Sequence, residues 1–201
     1  MFNKRSPEAD MARRVEQLQV AALQCTIPGE AAALYNRAGD VLLSAQDVES
    51  ALDLYGRAID DFIEADRFDA AIALCRKVIR TVPAVVRTRC TLTWLSIGAG
   101  YTAQAADCVS QYSWVAEQTG RIIQAREHLR HMGMVATDES VRLAVGECLL
   151  LLGDDRGADT VFGSLFRERN GGPLAQPDPM TVLARIREAA MMRPGAQLTQ
   201  H

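Results

Sequence analysis

The size and composition of the chain fit a folded helical protein and exclude several other classes. It has 201 residues, of which 48% are hydrophobic and only 5% aromatic, and alanine and leucine dominate, as suits closely packed helices. The formal net charge of −3 argues against a general binder of nucleic acids or other polyanions.

The cysteines and the N-terminal segment bear on the cellular compartment. Five cysteines occur and none forms a CxxC pair, so we interpret them as reduced core thiols, which predicts a reducing compartment. No apolar region follows the basic residues 1–5, and the longest apolar run, residues 148–152, is too short to span a bilayer. We expect a cytoplasmic protein, and a peripheral position at the inner face of a membrane stays open because residues 1–5 could sit at a lipid or membrane-protein surface.

Helical periodicity and helix-terminating residues predict an all-α chain without strands. The predicted helices cover residues 7–23, 30–45, 48–64, 68–81, 84–98, 102–118, 121–134, 139–152, 155–168 and 178–192. Glycine and proline in residues 170–178 predict a linker before the last helix. We divide the chain into an N-terminal helix and connector (1–29), a repeat domain (30–169) and a linker with a C-terminal helix and tail (170–201).

Three segments of the predicted repeat domain share one pattern. Aligned on the turn between two helices, they place small, aromatic and branched residues at equivalent positions. The aligned sets are Gln46, Gly100 and Gly153; Ala51, Ala105 and Ala158; Tyr55, Val109 and Phe162; and Ala58, Tyr112 and Leu165. Further copies of the second half follow about 20 residues later, at Ala71 and Ala125. The unit therefore comprises three helices, occurs twice and begins a third time, and its helices must stack to bury their apolar faces.

This pattern resembles the tetratricopeptide repeat, a family of stacked helical hairpins. The residues that carry the resemblance are Gly39, Ala51, Tyr55, Ala58, Gly146, Gly153, Ala158 and Phe162, with Pro83 closing a helix. The resemblance covers about residues 30–168. It implies an α-solenoid of antiparallel helices with extra terminal helices.

The resemblance also implies where a partner would bind, since the first helix of each hairpin lines a groove in this family. The candidate groove residues are Asn36, Asp40, Leu43, Arg87, Cys90, Trp94, Ile97, Leu143, Glu147 and Leu150. The basic clamp that some members use for a terminal carboxylate is not matched, because Asn36 and Asp40 stand where a cation is needed. Trp94 and Trp114 are the candidate anchors, with ordinary core packing as the alternative for each.

Charge is segregated along the middle of the chain. Residues 39–69 contain nine acids and two bases, a net charge of −7, whereas residues 70–106 contain five bases and no acid. Either the two sets pair with each other on solvated helix faces, or they form patches that orient a partner.

Nothing in the sequence indicates catalysis or a cofactor. The one candidate metal cluster is His128 and His131 with Glu127, and it would need a further ligand from elsewhere. We interpret these histidines as structural or exposed, and we predict neither an enzyme, nor a metal, nor a nucleic-acid partner.

The prediction for function is therefore a protein-interaction scaffold or assembly subunit of a larger complex, with docking on the cytoplasmic face of a membrane complex as one version. A regulator or chaperone that binds client peptides transiently is the alternative. The predicted helix at 178–192 has an apolar stripe that needs cover, either on the end of its own solenoid or on a partner.

Overall fold

The computed structural model describes residues 7–169, which form nine α-helices without a strand. The helices are α1 (Pro7–Leu23), α2 (Ala31–Ser44), α3 (Val48–Glu64), α4 (Phe68–Thr81), α5 (Val86–Gly98), α6 (Thr102–Gln118), α7 (Ile122–Val135), α8 (Glu139–Leu151) and α9 (Asp155–Arg169). The all-α prediction is confirmed, and each predicted helix in this range begins and ends within two residues of the observed one. The predicted contacts of residues 1–5, the linker, the helix at 178–192 and the tail lie outside the described residues.

The chain divides into two compact units, and the boundary falls inside α4. The first unit ends at Val78 and the second begins at Ile79. In the first unit, α2 packs against both α1 and α3. In the second unit, each helix packs against the next one and the next but one: α5 contacts α6 and α7, α6 contacts α7 and α8, and α7 and α8 both contact α9. This is the neighbour-on-neighbour packing of an all-α, solenoid-like fold.

Five helices end in the same kind of turn, which produces the periodicity seen in the sequence. The residue after the helix cap has a positive φ in each: Gln46, Asp66, Gly100, Gly120 and Gly153. At Gly153 the backbone N–H donates to the Leu150 carbonyl at 2.8 Å, and the following N–H, of Asp154, donates to the Leu149 carbonyl at 2.8 Å. These two bonds define the Schellman motif, which satisfies carbonyls that the helix end leaves without partners.

Gln46 occupies this left-handed position without being glycine, with a φ of 65°. Because a side chain there crowds the backbone, we expect Gln46→Gly to raise the free energy of unfolding by about 0.5–1 kcal/mol in urea titrations. The control is Gly100→Ala, where an added Cβ meets no heavy atom within 4 Å. A loss of about 1 kcal/mol in the Gly100→Ala protein would measure the cost of the left-handed backbone conformation without any steric clash. A Gln46→Gly protein that is no more stable than the wild type would contradict the argument.

The paired small and aromatic residues of the repeat meet at helix crossings. A Cβ placed on Gly39 of α2 would lie 2.8 Å from the Tyr55 ring of α3, and one on Gly146 of α8 would overlap the Phe162 ring of α9. Ala51, Ala105 and Ala158 are fully buried. Small residues therefore let the helices of a hairpin approach, and the aromatic side chain fills the space beside the contact.

Helix α5 is buried on almost every side. Its buried residues are Thr88, Cys90, Thr91, Leu92, Thr93, Trp94, Leu95 and Ser96. The hydroxyls of Thr93 and Ser96 donate to the carbonyls four residues earlier, each at 2.8 Å. Burying these polar groups is therefore tolerated, because each donates a hydrogen bond inside its own helix.

Candidate partner-binding surface

In the first unit, the candidate groove residues of α2 share one face with a lysine from α4. Asn36 and Leu43 are half-buried and Asp40 is exposed. The Lys77 ammonium donates to Asn36 Oδ1 at 2.8 Å and forms an ion pair with Asp40. The Tyr55 hydroxyl donates to the same Asp40 carboxylate at 2.6 Å. These residues form a polar cluster on the face that the sequence assigned to a groove.

Lys77 places a cation beside Asn36 and Asp40, where the sequence pattern had indicated none. Its ammonium lies 4.9 Å from the centre of the Tyr55 ring as well as beside Asp40. Burial, followed by the adjacent Asp40 carboxylate, raises the pKa of Tyr55 well above its ordinary value, so the hydroxyl remains a donor. The carboxylate already offsets the lysine charge, so the cluster offers polar hydrogen-bonding groups and no net positive charge to a ligand.

In the second unit, the candidate groove residues separate into buried and exposed ones. Trp94 is 2% exposed, so its side chain belongs to the core and cannot serve as an anchor on this surface. Arg87 and Ile97 of α5 are half-buried, whereas Leu143 and Glu147 of α8 are exposed. The reason is that α5 is enclosed on almost all sides, so that it presents no open face comparable with that of α8.

The contacts of α8 show which of its sides remain open. Burial raises the pKa of the Cys148 thiol, and the neighbouring Ser113 and Ser110 of α6 partly offset that rise, so this side of α8 faces α6. Arg142 donates to Ser164 of α9, which places α9 on another side. The side that contains Glu147 and the strongly exposed Leu151 is left uncovered by the helices of the second unit.

Trp114 of α6 lies beside this open side of α8. Turns of three residues join α6 to α7 and α7 to α8, so α6 and α8 run in the same direction. Trp114 is one turn beyond Ser110, and Leu151 is one turn beyond Cys148, which brings both apolar side chains to the same level. Trp114 is 62% and Leu151 78% exposed. We call five exposed residues along this side of the two helices the α6–α8 surface: Asp107, Trp114, Glu117, Glu147 and Leu151.

The α6–α8 surface is apolar at its centre and acidic around it. The exposed charged side chains of the two helices are all acids: Asp107, Glu117, Glu139 and Glu147. The single base on either helix, Arg142, is buried against α9. A basic side chain flanks the surface, since Arg89 of α5 donates to Gln111 of α6 at 3.0 Å. The two helices themselves therefore present a negative potential around an exposed tryptophan.

A buried cluster of ionisable groups lies apart from this surface. Tyr112 and His128 are linked at 2.7 Å between the hydroxyl and Nδ1, and the Cys90 thiol lies 3.2 Å from the same nitrogen. Burial raises the pKa of Cys90 to about 12 and lowers that of His128. The thiol therefore stays protonated and unreactive at neutral pH, and the cluster joins α5, α6 and α7 as a packing element.

The predicted histidine pair divides between two environments. His128 belongs to the buried cluster and His131 is half-buried. Within residues 7–169, no group of three or more histidine, cysteine or acidic residues is arranged to hold a metal ion.

His128 makes stability depend on pH in a defined window. Its pKa is lowered in the fold from 6.5, mainly by burial, so the unfolded chain binds the proton more readily. We therefore expect the His128 contribution to be complete above about pH 6.5 and to fall as the pH decreases, with a slope of up to about 1.4 kcal/mol per pH unit.

Urea unfolding between pH 7.5 and 5 measures this effect. His128→Gln should flatten the profile, and the neighbouring His131→Gln should retain it. The lowered carboxyl pKa values of Asp138 and Asp154 act only below about pH 4, outside this window. Equal slopes in the His128→Gln protein and the wild type would contradict the assignment.

Comparison with protein-family models, curated proteins and solved structures finds no match to this chain. Among the nine helices of residues 7–169, none combines the length and apolar character needed to cross a membrane.

Proposed function

We propose that this chain is a non-catalytic protein-interaction subunit that holds a partner protein on the α6–α8 surface. The observation that carries the proposal is Trp114, a tryptophan 62% exposed on a helix whose opposite side is packed in the core. Exposing so large an apolar side chain has a cost in water that a partner would relieve, and tryptophan is enriched among residues that dominate binding energy.

The charges around Trp114 indicate the chemistry of the partner. The carboxylates of Asp107, Glu117 and Glu147 favour a segment that combines basic residues with apolar ones. Such charges orient a partner and speed its association, while the desolvated tryptophan supplies most of the affinity.

The polar cluster of Asn36, Asp40 and Lys77 supports the same role in the first unit. Its amide, carboxylate and ammonium groups are partly accessible, so they can exchange their internal hydrogen bonds for contacts with a bound chain. The ion pair between Lys77 and Asp40 argues against capture of a terminal carboxylate by the lysine alone.

A non-catalytic role is supported by the chemistry of the second unit. Its nucleophile-bearing cluster, Cys90 with Tyr112 and His128, is buried and its thiol is held protonated. The location that we propose is the cytoplasm, including a position on the inner face of a membrane complex.

Affinity purification of the tagged full chain from its native cells tests this function. We expect one or a few partners in fixed stoichiometry, recovered with or without mild detergent according to whether the complex is at a membrane. Many substoichiometric peptides or proteins would instead favour the transient client-binding role. Recovery of the chain alone under both conditions would refute the proposal.

A further inference from the structure

One edge of α8 exposes two leucines beside its contact with α9. Leu143 is 40% and Leu150 47% exposed. Gly146, which packs against the Phe162 ring of α9, lies three residues after Leu143 and four residues before Leu150. All three positions therefore share one side of the helix. We call Leu143, Leu150 and the exposed Glu139, one turn before Leu143, the α8 edge.

The packing pattern of the second unit indicates that the α8 edge is the place for one further helix. Each helix there contacts the next but one along the chain, as α5 does with α7, α6 with α8 and α7 with α9. Helix α6 packs against α8 on the side of Cys148. A helix that followed α9 in the same manner would cover α8 on its other side, beside α9, where Leu143 and Leu150 lie.

We propose that residues 178–192 of this same chain dock on the α8 edge. Their sequence predicts a helix with one apolar stripe formed by Val182, Leu183, Ile186 and Ala190. Arg185 and Arg187 lie within the same segment.

The length of the connecting segment agrees with this placement. Because α8 and α9 are joined by a three-residue turn, α9 runs back along α8 and ends near its beginning. The eight residues 170–177 can span up to about 28 Å, whereas α8 itself is about 20 Å long. Residues 178–192 can therefore reach the edge and run parallel to α8. The proposal does not depend on a partner at the α6–α8 surface.

Limited trypsin digestion of the full-length chain, followed by mass spectrometry, tests the docking. Cleavage after Arg185 and Arg187 reports whether the segment is accessible. We expect the double variant Leu143→Ser with Leu150→Ser to be cleaved there at least about tenfold faster than the wild type, because proteolysis follows the population of the open state. The matched control is Ile123→Ser with Met134→Ser, which alters two strongly exposed side chains of α7 and should leave the rate unchanged.

Other occupants give different results, and each would overturn the proposal. If a second copy covered the edge, protection would rise with protein concentration together with a dimer in light scattering. If an unrelated partner covered it, the isolated wild type would be cleaved as fast as the edge variant. Unchanged protection in the edge variant would place the segment elsewhere. Circular dichroism checks that the variants fold, and Leu143→Ala with Leu150→Ala replaces the serine pair if they do not.

Discussion

Replacing Trp94 with alanine is expected to lower the free energy of unfolding by about 3–5 kcal/mol. Trp94 is 2% exposed and is one of the largest fully buried side chains in the described part of the chain. Its removal would leave a cavity beside α5. Because α5 is enclosed on almost all sides, the surrounding side chains can relax only a little into that cavity. Urea unfolding followed by circular dichroism measures the loss.

The second tryptophan provides the matched control for this prediction. Trp114 is 62% exposed, so Trp114→Ala should change the free energy of unfolding by no more than about 0.5 kcal/mol. The pair therefore separates a core tryptophan from a surface one by the same substitution. Equal losses at both positions would contradict the placement of the two side chains.

Gly39→Ala is expected to destabilise the protein by about 1–3 kcal/mol, although alanine is the better helix former by about 1 kcal/mol. The added Cβ would lie 2.8 Å from Cε1 of Tyr55. The Tyr55 ring cannot readily move away, because it is buried, its hydroxyl donates to Asp40 at 2.6 Å and Lys77 lies over its face.

A glycine in open space is the control for that substitution. An added Cβ at Gly163, within α9, meets no heavy atom within 4 Å, so Gly163→Ala should stabilise the helix by about 0.5–1 kcal/mol. In a Tyr55→Leu background, Gly39→Ala should cost less than in the wild type, since the two positions interact directly. If Gly39→Ala lowered the free energy of unfolding equally in both backgrounds, the Tyr55 ring would not be what excludes a side chain at Gly39.

The helices and their order could be predicted because the signals are local. Apolar periodicity and the turn residues lie within single segments, and the alignment of Gln46 with Gly100 and Gly153 matches three turns that share a positive φ. Gln46 was recognisable only by this alignment, since glutamine has no intrinsic preference for the left-handed region. Its alignment with two turn glycines therefore indicates a left-handed backbone at Gln46 that the residue type alone does not indicate.

The proposed binding surface was less predictable because it depends on which helix faces remain open. Helix α5 is buried on almost all sides. Its sequence therefore has no clear apolar face, and the pattern could not show whether Trp94 lies in the core or on the surface. The Lys77 contact with Asp40 joins residues 37 positions apart, and Cys90 meets His128 across 38. Contacts at such separations leave no periodic signal in a single sequence.

Partner binding at the α6–α8 surface can be tested by measuring the affinity of the purified partner for variants of that surface. Trp114→Ala should weaken binding by at least 2 kcal/mol, roughly 30-fold, the loss typical of a residue that dominates an interface. Glu147→Lys should also weaken binding, by a smaller factor, and reduce its dependence on salt, because the variant replaces an attractive charge with a repulsive one. Ile123→Ala, which removes an 84% exposed side chain from α7, should bind like the wild type. Titration calorimetry that returned wild-type affinity for Trp114→Ala and Glu147→Lys would contradict the assignment of the surface.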